Sequence, residues 1–435
     1  MQDKRLFLGG NFSGRWQGIA TGWAPARITD QSSAGIQLFD TGHCADELKG
    51  RLGVHPASIS DYRELARRRL PHFLFEYVDG GSYAEVTLRR NVADLEALSL
   101  RQRVLRDISQ LDLSTELFGT RYAMPIALAP VGMAGMCARR GEIQVARAAE
   151  QTGVPFCLST VSVCPQAEVA QALARPFWFQ LYIMRDREFM RDLIGEAIAL
   201  KCSALVFTVD LPVFGARYRD MRSGLSGAPG LGRSLRRFAQ IARHPGWAWD
   251  VGVHGRPHQL GNLAPVLEGS GGIEDYIGWI GRNLDPAINW KDLAWVRSLW
   301  PGPLIVKGIL EADDARAAAD LGVDGLVVSN HGGRQLDGAL SAVRALPDIV
   351  AAVGDRLTIL ADGGVRSGLD VVRMLALGAR GVLVGRPWVY ALGARGGAGV
   401  THVLELLAAE MRVAMALTGC TKIAEINTGI LAHDR

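Results

Sequence analysis

The chain has 435 residues, 48% of them hydrophobic, and its 48 Lys and Arg against 44 Asp and Glu leave a net charge of +4. That is enough chain for one large α/β barrel or two ordinary domains, and the charge is scattered rather than blocked, so nucleic acid is not expected as a partner. No apolar run approaches the ~20 residues that cross a bilayer, and the start lacks the basic-then-apolar order of a secretory signal; membrane contact would have to be peripheral.

Residues 1–57 carry little periodic structure and much Gly, Ser, Thr and Ala, with Trp16 and Trp23 scattered among them. They read as a disordered tail ahead of one folded domain, 58–435. Six cysteines (Cys44, Cys137, Cys157, Cys164, Cys202, Cys420) form neither CxxC pairs nor a regular framework. Several lie in apolar runs, where a thiol packs as a small hydrophobe, which fits a reduced, cytoplasmic-side protein. No metal site is expected.

The stretch SDYRELARRRLPHFLFEYVDGG, from Ser60, reads as an amphipathic helix: Ser60 or Asp61 as N-cap, Leu65 and Leu70 on the apolar face, Gly80 and Gly81 closing it, Tyr77 near its end. Beyond residue 120 a pattern recurs of a short apolar run, a polar residue or glycine, and a helical stretch. The runs are PIALAP (125–130), VPFCLS (154–159), FWFQLY (177–182), ALVFTVD (204–210), PLIVKG (303–308), GLVVSN (325–330), LTILADGG (357–364) and GVLVGRP (381–387). Strands buried on both faces read as continuous apolar runs, so this alternation predicts an α/β protein, a (β/α)8 TIM barrel with an N-terminal helical segment. An open doubly wound sheet is the alternative. Only the gap between the fourth and fifth runs is long, which places an insertion, about 212–290, in the loop after strand 4, on the face where barrels keep their active sites.

Residues at the C-terminal strand ends converge on one mouth, and here they are unusually polar. In order they offer Pro130, Ser159, Gln180 with Tyr182, Thr208 with Asp210, Lys307, Ser329 with His331 and Arg334, Asp362, and Gly385 with Arg386. For Ser159 or Thr208 alone an ordinary polar strand end is the better reading. Lys307 behind LIV needs an anionic partner. The last two strands run into ADGGVRSG and VGRP, glycine loops where barrels often bind phosphate, with Arg366 and Arg386 able to add charge-assisted bonds. Two such loops at these two strands point to a phosphorylated cofactor.

Taken together, SNHGGRQLDGA, TVD, VKGI, LADGGVRSG and VGRP resemble the FMN-dependent L-2-hydroxy acid dehydrogenase and oxidase family, from about Ser60 to about residue 430. Within it, FEYVDGGSYAEVTLRRN, LAPVGMAGMCARRGE, LSTVSVCP, FTVDLPVFGARYRD and HPGWAWDVG are most similar to the bacterial respiratory L-lactate dehydrogenases. The resemblance implies a role for each strand end. His331 would be the base, and an imidazole suits that task because its pKa lies near working pH. Arg334 would grip the substrate carboxylate in a planar pair that lysine cannot reproduce, while Gly332 and Gly333 permit the turn that aims both side chains into one cavity. Arg217 resembles the second carboxylate-binding arginine, Tyr77 the tyrosine that joins it, and Tyr182 the tyrosine that bonds the substrate hydroxyl. Asp210 would stabilise the imidazolium. Lys307 would lie near the flavin N1 and O2 edge, where negative charge accumulates on reduction. Ser159, Gln180, Thr208, the 129–132 backbone including Pro130, and Asp362, Gly363, Arg366, Gly385 and Arg386 match the FMN cradle.

The implied reaction is FMN-dependent oxidation of L-lactate to pyruvate, with electrons passed to a membrane quinone or respiratory carrier, by a homo-oligomer on the cytoplasmic side of the inner membrane. The alternatives are an oxidase using oxygen, a dehydrogenase of mandelate or another 2-hydroxy acid, and a degenerate barrel kept as a scaffold. Val161 and Gly132 replace a Trp and an Ala of the glycolate oxidase pattern, and this favours the dehydrogenase branch. In the insertion, LGRSLRRFAQIARHPGWAW (231–249) sets Leu235, Phe238 and Ile241 near one helix face with arginines mostly around the other, followed by Trp247 and Trp249. That pattern suits a membrane interface and, almost as well, a lid packed on the barrel mouth with the arginines solvated; the resemblance favours the membrane.

Overall fold

The structure is a computed structural model, and it describes residues 55–226, 230–267 and 273–432. Most of the expected tail, including Trp16, Trp23 and Cys44, lies outside these residues; of its last positions, His55 meets His402 edge-on at 5.2 Å between ring centroids.

The N-terminal segment is two helices, not one. α1 (Ile59–Arg69) is capped by Ser58, whose hydroxyl accepts from the Asp61 N–H while the Asp61 carboxylate accepts from the Ser58 N–H at 3.0 Å. This reciprocal box puts the cap two or three residues earlier than Ser60 or Asp61. Pro71 then ends α1, because its ring removes a donor and forbids the preceding helical turn, and α2 (His72–Asp79) starts at a new angle and closes at Gly80. α3 (Val86–Glu96) follows, then a hairpin of β1 (Thr115–Leu117) and β2 (Thr120–Tyr122) that the apolar runs did not announce.

The eight predicted strands are all present: β3 (Ile126–Leu128), β4 (Cys157–Ser159), β5 (Trp178–Tyr182), β6 (Ala204–Thr208), β7 (Leu304–Ile309), β8 (Gly325–Val328), β9 (Thr358–Asp362) and β10 (Gly381–Val384). They pair in parallel in the order β3-β10-β9-β8-β7-β6-β5-β4, and the Leu128 N–H donates to the Pro155 carbonyl at 2.9 Å, joining β3 to the start of β4. The sheet is therefore closed, which excludes the open alternative. Between the strands run α4 (Gly141–Thr152), α5 (Gln166–Gln171), α6 (Arg187–Ala199), the insertion, α11 (Trp290–Leu299), α12 (Ala312–Asp320), α13 (Ala342–Val353) and α14 (Gly368–Ala376), and the chain ends with α15 (Arg386–Thr418), broken at Gly396.

Strand periodicity divides the core in two. Leu205, Phe207, Leu304 and Val306 face outward onto the helices, while Ala127, Cys157, Trp178, Val206, Ile305, Val327, Leu360 and Leu383 fill the barrel interior. Below them the hairpin closes the N-terminal end: Leu117 is buried, and Phe118 and Tyr122 meet the Trp178 ring edge-on at 5.8 and 6.5 Å. Continuing the same alternation two residues upward brings Ser159, Gln180, Thr208, Lys307, Ser329, Asp362 and Gly385 to the interior at the other end. The polar strand ends are the top layer of the barrel's own interior.

The insertion carries α7 (Tyr218–Ser223), α8 (Leu231–Ala242), α9 (Pro245–Trp247) and α10 (Ile273–Asn283). Its middle is built into the barrel mouth. Trp247, 4% exposed, donates its indole N–H to the Met136 carbonyl at 2.8 Å. Asn262 donates to the Ser159 and Thr160 carbonyls at 3.2 and 3.3 Å and accepts from the Gln166 N–H at 2.7 Å. Trp247 is thus a core residue, in contrast to the interfacial expectation. α8 is turned opposite to an ordinary surface helix: Gln240 is buried, accepting from the Phe73 N–H at 2.9 Å, and the Arg237 guanidinium lies over the Phe73 ring, whereas Leu235 (59%) and Phe238 (71%) face solvent. The alternative lid packing of Leu235 and Phe238 is absent; Ile241 alone of the three packs against the core.

Candidate active site

Above the barrel interior opens a cavity of about 400 Å³. Its walls include Tyr77, Pro130, Tyr182, Thr208, Arg217, Lys307, His331, Arg334, Asp362, Gly363, Arg366, Gly385 and Arg386. Asp210 stands behind His331, and Ser159 and Gln180 stand beneath the walls, bonded to each other at 3.1 Å.

The loop after β8 makes the tightest turn. His331, Gly332 and Gly333 are all left-handed, with φ of 56°, 63° and 75°. A Cβ on Gly333 would meet the Leu88 N at 2.6 Å, so glycine is required there by both conformation and space. A non-glycine residue at positive φ is strained, and His331 is held by a backbone bond from its N–H to the Ser329 hydroxyl at 3.0 Å and by its side chain. The imidazole Nδ1 lies 2.8 Å from Asp210 Oδ1. Burial pulls the His331 pKa below its ordinary value, more strongly than Asp210 raises it. For Asp210, burial is outweighed by His331 and Lys307, and its carboxyl sits below the usual range. With Nδ1 engaged by Asp210, Nε2 is the ring nitrogen of His331 with no hydrogen bond to a described residue, and His331 lines the cavity.

Lys307 is buried at its strand end, as the sequence required, with the expected partner: its ammonium is 3.0 Å from Asp362 and donates to Ser329 Oγ at 2.8 Å. Burial opposes its charge, but Asp362 and Asp210 more than compensate and raise its pKa.

Two guanidiniums share the other end of the cavity. Arg334 donates to the Tyr77 and Gly80 carbonyls at 2.6 and 2.8 Å and lies 4.9 Å from the centre of the Tyr77 ring. Arg217 packs over Phe214 at 5.5 Å, and its Nε points to the Arg334 carbonyl at 3.5 Å. Burial and the neighbouring Arg334 bring the Arg217 pKa down to about 10. Burial pushes the hydroxyls of Tyr77 and Tyr182 up, so both stay protonated donors. Arg386 is engaged by backbone: it donates to the carbonyls of Val78, Gly332 and Gly80 at 3.1, 3.0 and 2.8 Å. The C-terminal turn of α2 therefore receives Arg334 and Arg386, as the negative end of a helix dipole favours.

Several residues that the sequence reading did not single out hold this arrangement. Asp79 accepts from Arg63 at 2.5 Å, from Arg219 at 2.8 Å and from the Tyr390 hydroxyl at 2.6 Å. An acid on the buried side of FEYVD, next to Gly-Gly, was the available signal. Gln335 ties the loop after β8 to that after β6 by donating to the Asp210 and Val213 carbonyls at 2.8 and 2.9 Å. Asn262 had no signal, lying in an insertion without periodicity.

Four buried polar atoms around the cavity floor, Gln180 Nε2, Thr208 Oγ1, Asp210 Oδ2 and Asp362 Oδ1, have no hydrogen-bond partner among the described residues. Buried polar atoms are normally paired, so the floor is matched to a group with its own polar edge. An isoalloxazine ring, with alternating carbonyls and ring nitrogens, fits that requirement, and Lys307 and Arg366 bring positive charge to it. Beside it, a Cβ on Gly132 would fall 2.5 Å from Val161 Cγ2, so the alanine of the oxidase pattern would require Val161 to shift.

Residues 66–433 match the family described as FMN-dependent dehydrogenase. Among similar proteins, an L-lactate dehydrogenase of Caulobacter sp. (strain K31) is 64% identical over 86% of this chain and 98% of its own length, and one of Stenotrophomonas maltophilia (strain R551-3) is 62% identical over 87% and 99%. Among solved structures, the monotopic membrane protein (S)-mandelate dehydrogenase superposes with a TM-score of 0.82 at 35% identity, covering 88% of this chain and 100% of that one. Mandelate oxidase gives 0.73 at 40% identity over 86% and 97%.

Proposed function

We infer, from the premise that the chain belongs to the FMN-dependent dehydrogenase family, that it oxidises L-lactate to pyruvate. It is an FMN-dependent L-2-hydroxy acid dehydrogenase, with FMN as its cofactor and a small 2-hydroxy acid as its substrate. The observation that carries the chemistry is the Asp210–His331 pair facing Arg217 and Arg334 across one cavity.

In the proposed division of labour, Arg334 and Arg217 receive the carboxylate, Tyr77 and Tyr182 donate to it and to the hydroxyl, and His331 takes a proton at Nε2. Asp210 stays ionised and stabilises the imidazolium so formed. FMN supplies the acceptor for the electron pair that leaves with the oxidation. Lys307 would hold positive charge beside it, with Ser159, Gln180, Thr208 and Asp362 bonding its ring, and Pro130, Gly363, Gly385 and Arg366 at its margins. Arg386 would act from behind by fixing the carbonyls of Val78, Gly80 and Gly332. The folded domain we propose spans 58–435.

We further propose that electrons leave for a quinone or another respiratory carrier at a membrane surface, and that the insertion lies on that surface, on its cytoplasmic side. Among the described residues no helix is long and apolar enough to cross a membrane. The solvent-facing Leu235, Phe238 and Trp249 (65% exposed), with exposed Arg236 and Arg243 around them, favour a peripheral contact. Self-association belongs to the same proposal, and the exposed Val104 and Leu105 are apolar side chains available to it.

The test is spectroscopic. Protein reconstituted with FMN should lose its visible flavin absorbance when L-lactate is added without oxygen, and recover it faster with a membrane-dissolved quinone than with oxygen. An unchanged spectrum under lactate would overturn the assignment; faster recovery with oxygen would favour the oxidase alternative.

A further inference from the structure

Asp220 is an acid at the substrate end of the cavity that the chemistry above does not use. It stands three residues after Arg217 in the first turn of α7, is buried, and lines the cavity beside Tyr77, Arg217 and Arg334. Its carbonyl accepts from the Leu225 and Ser226 N–H groups at 3.0 and 3.2 Å, which fixes the turn. Its carboxylate makes no hydrogen bond or ion pair with another described residue. Burial pushes that carboxyl up, against the pull of Arg334, Arg217 and Arg219.

The charges around it can be counted. Arg219 is already matched, since it bonds Glu76 and Asp79. Arg334 and Arg386 both line the cavity and donate to backbone carbonyls, and of the two it is Arg334 whose charge acts on Asp220. That leaves Arg217 and Arg334 as two cations against the one anion of Asp220 where the substrate carboxylate would arrive. Buried charge is tolerated when it is balanced. One incoming carboxylate brings this end to neutrality, and a second negative charge overfills it.

We propose that Asp220 sets the charge capacity of the carboxylate subsite, so that the enzyme accepts 2-hydroxy monocarboxylates, discriminates against dianions and lets its 2-oxo acid product go. The proposal rests on the reading that the cavity binds a 2-hydroxy acid. Asp220 is a positioning residue in this scheme: it acts on the ligand through the field at Arg217 and Arg334. Removing its charge should tighten anion binding, the reverse of what loss of a structural contact does.

The experiment uses the FMN-loaded enzyme and two probes, pyruvate as a monoanion and oxalate as a compact dianion, titrated by flavin absorbance at about pH 8, roughly four pH units above an ordinary aspartate, which leaves room for the raised Asp220 carboxyl to ionise. In Asp220→Asn the pyruvate Kd should fall roughly tenfold. Because Coulomb energy scales with ligand charge, the oxalate Kd should fall by about the square of that, roughly a hundredfold. Asp220→Glu should return both toward the parental values. Equal gains for the two probes, or unchanged or weaker binding of both, would overturn the proposal; if the Asn variant does not fold, Asp220→Ser serves the same titration. Failure of the lactate reading appears separately, as a parental enzyme whose flavin L-lactate does not bleach.

Discussion

His331 and Asp210 meet with Nδ1 2.8 Å from Oδ1, so the imidazole is oriented from one nitrogen and reactive at the other. Replacing His331 by Gln removes the base while keeping an amide of similar reach. FMN content and lactate affinity should persist, and anaerobic flavin reduction measured by stopped flow should slow by at least ~100-fold. Reduction at near the parental rate would remove His331 from the mechanism.

The same pair fixes a pH dependence. Because burial holds the His331 pKa below its ordinary value, the base stays unprotonated through neutrality, and kcat/KM should fall only as the pH drops below the usual histidine range. Asp210 raises that pKa, so Asp210→Asn should move the acid limb to still lower pH and lower the plateau, the imidazole being a weaker base. An acid limb that moves upward in the Asn variant contradicts this assignment.

Arg334 uses its guanidinium three ways at once, toward two carbonyls of the α2 terminus, over the Tyr77 ring, and into the cavity. An ammonium keeps the charge and loses the plane. Arg334→Lys should raise KM and slow flavin reduction together, each by roughly 10- to 100-fold; unchanged steady-state and single-turnover constants would make it a loop residue only.

The barrel was legible because each strand is a continuous apolar run ending in a polar residue, and its closure was not, since the Leu128 to Pro155 contact joining the two ends is long-range. The split at Pro71 was written in the sequence and overridden by the amphipathic pattern on either side of it. The candidate site residues came from strand ends and from the resemblance, and the cavity gathers most of them. Asn262 and Gln335 were invisible because their work is to bond backbone or side chains from other elements, and local sequence carries no mark of such a partner; Asp79 had its one mark in the Gly-Gly beside it. In the insertion, amphipathicity located α8 but misjudged its orientation, since Gln240 and Arg237 face the protein.

Asp79 gives a stability test. Its carboxyl is held well below the ordinary carboxylate range: burial raises it, and Arg63, Tyr390 and Arg219 together outweigh that. Its stabilisation is therefore complete above the unfolded value of ordinary aspartate and is lost as pH falls through the lower folded value. Asp79→Ala strands the buried Tyr390 hydroxyl and takes one partner from Arg219, which keeps Glu76, while Arg63 is about half exposed and recovers water. Denaturant unfolding near neutrality should show a loss of about 3 kcal/mol, at the low end for a broken buried pair. The deficit should shrink as the pH falls from the ordinary aspartate value toward that of the folded carboxyl.

For the membrane contact, the buried Trp247 and Asn262 make removal of the whole insertion uninformative. The double substitution Leu235→Glu with Phe238→Glu touches only solvent-facing positions. It should leave lactate-dependent bleaching intact, release the protein from sedimenting anionic vesicles, and slow reduction of a quinone dissolved in them. Parental co-sedimentation and quinone rates would place the contact elsewhere.

The hairpin that closes the N-terminal end of the barrel has a kinetic consequence. With Leu117, Phe118, Tyr122 and Trp178 packed beneath, the N-terminal end is closed, and among the described residues the insertion contributes Met221, Ser226 and Ile280 to the cavity lining. An electron acceptor that enters from that side would use the substrate's doorway in turn. Pyruvate departs before the oxidant arrives, double-reciprocal plots at several acceptor concentrations run parallel, and excess lactate re-enters the reduced enzyme and obstructs its reoxidation.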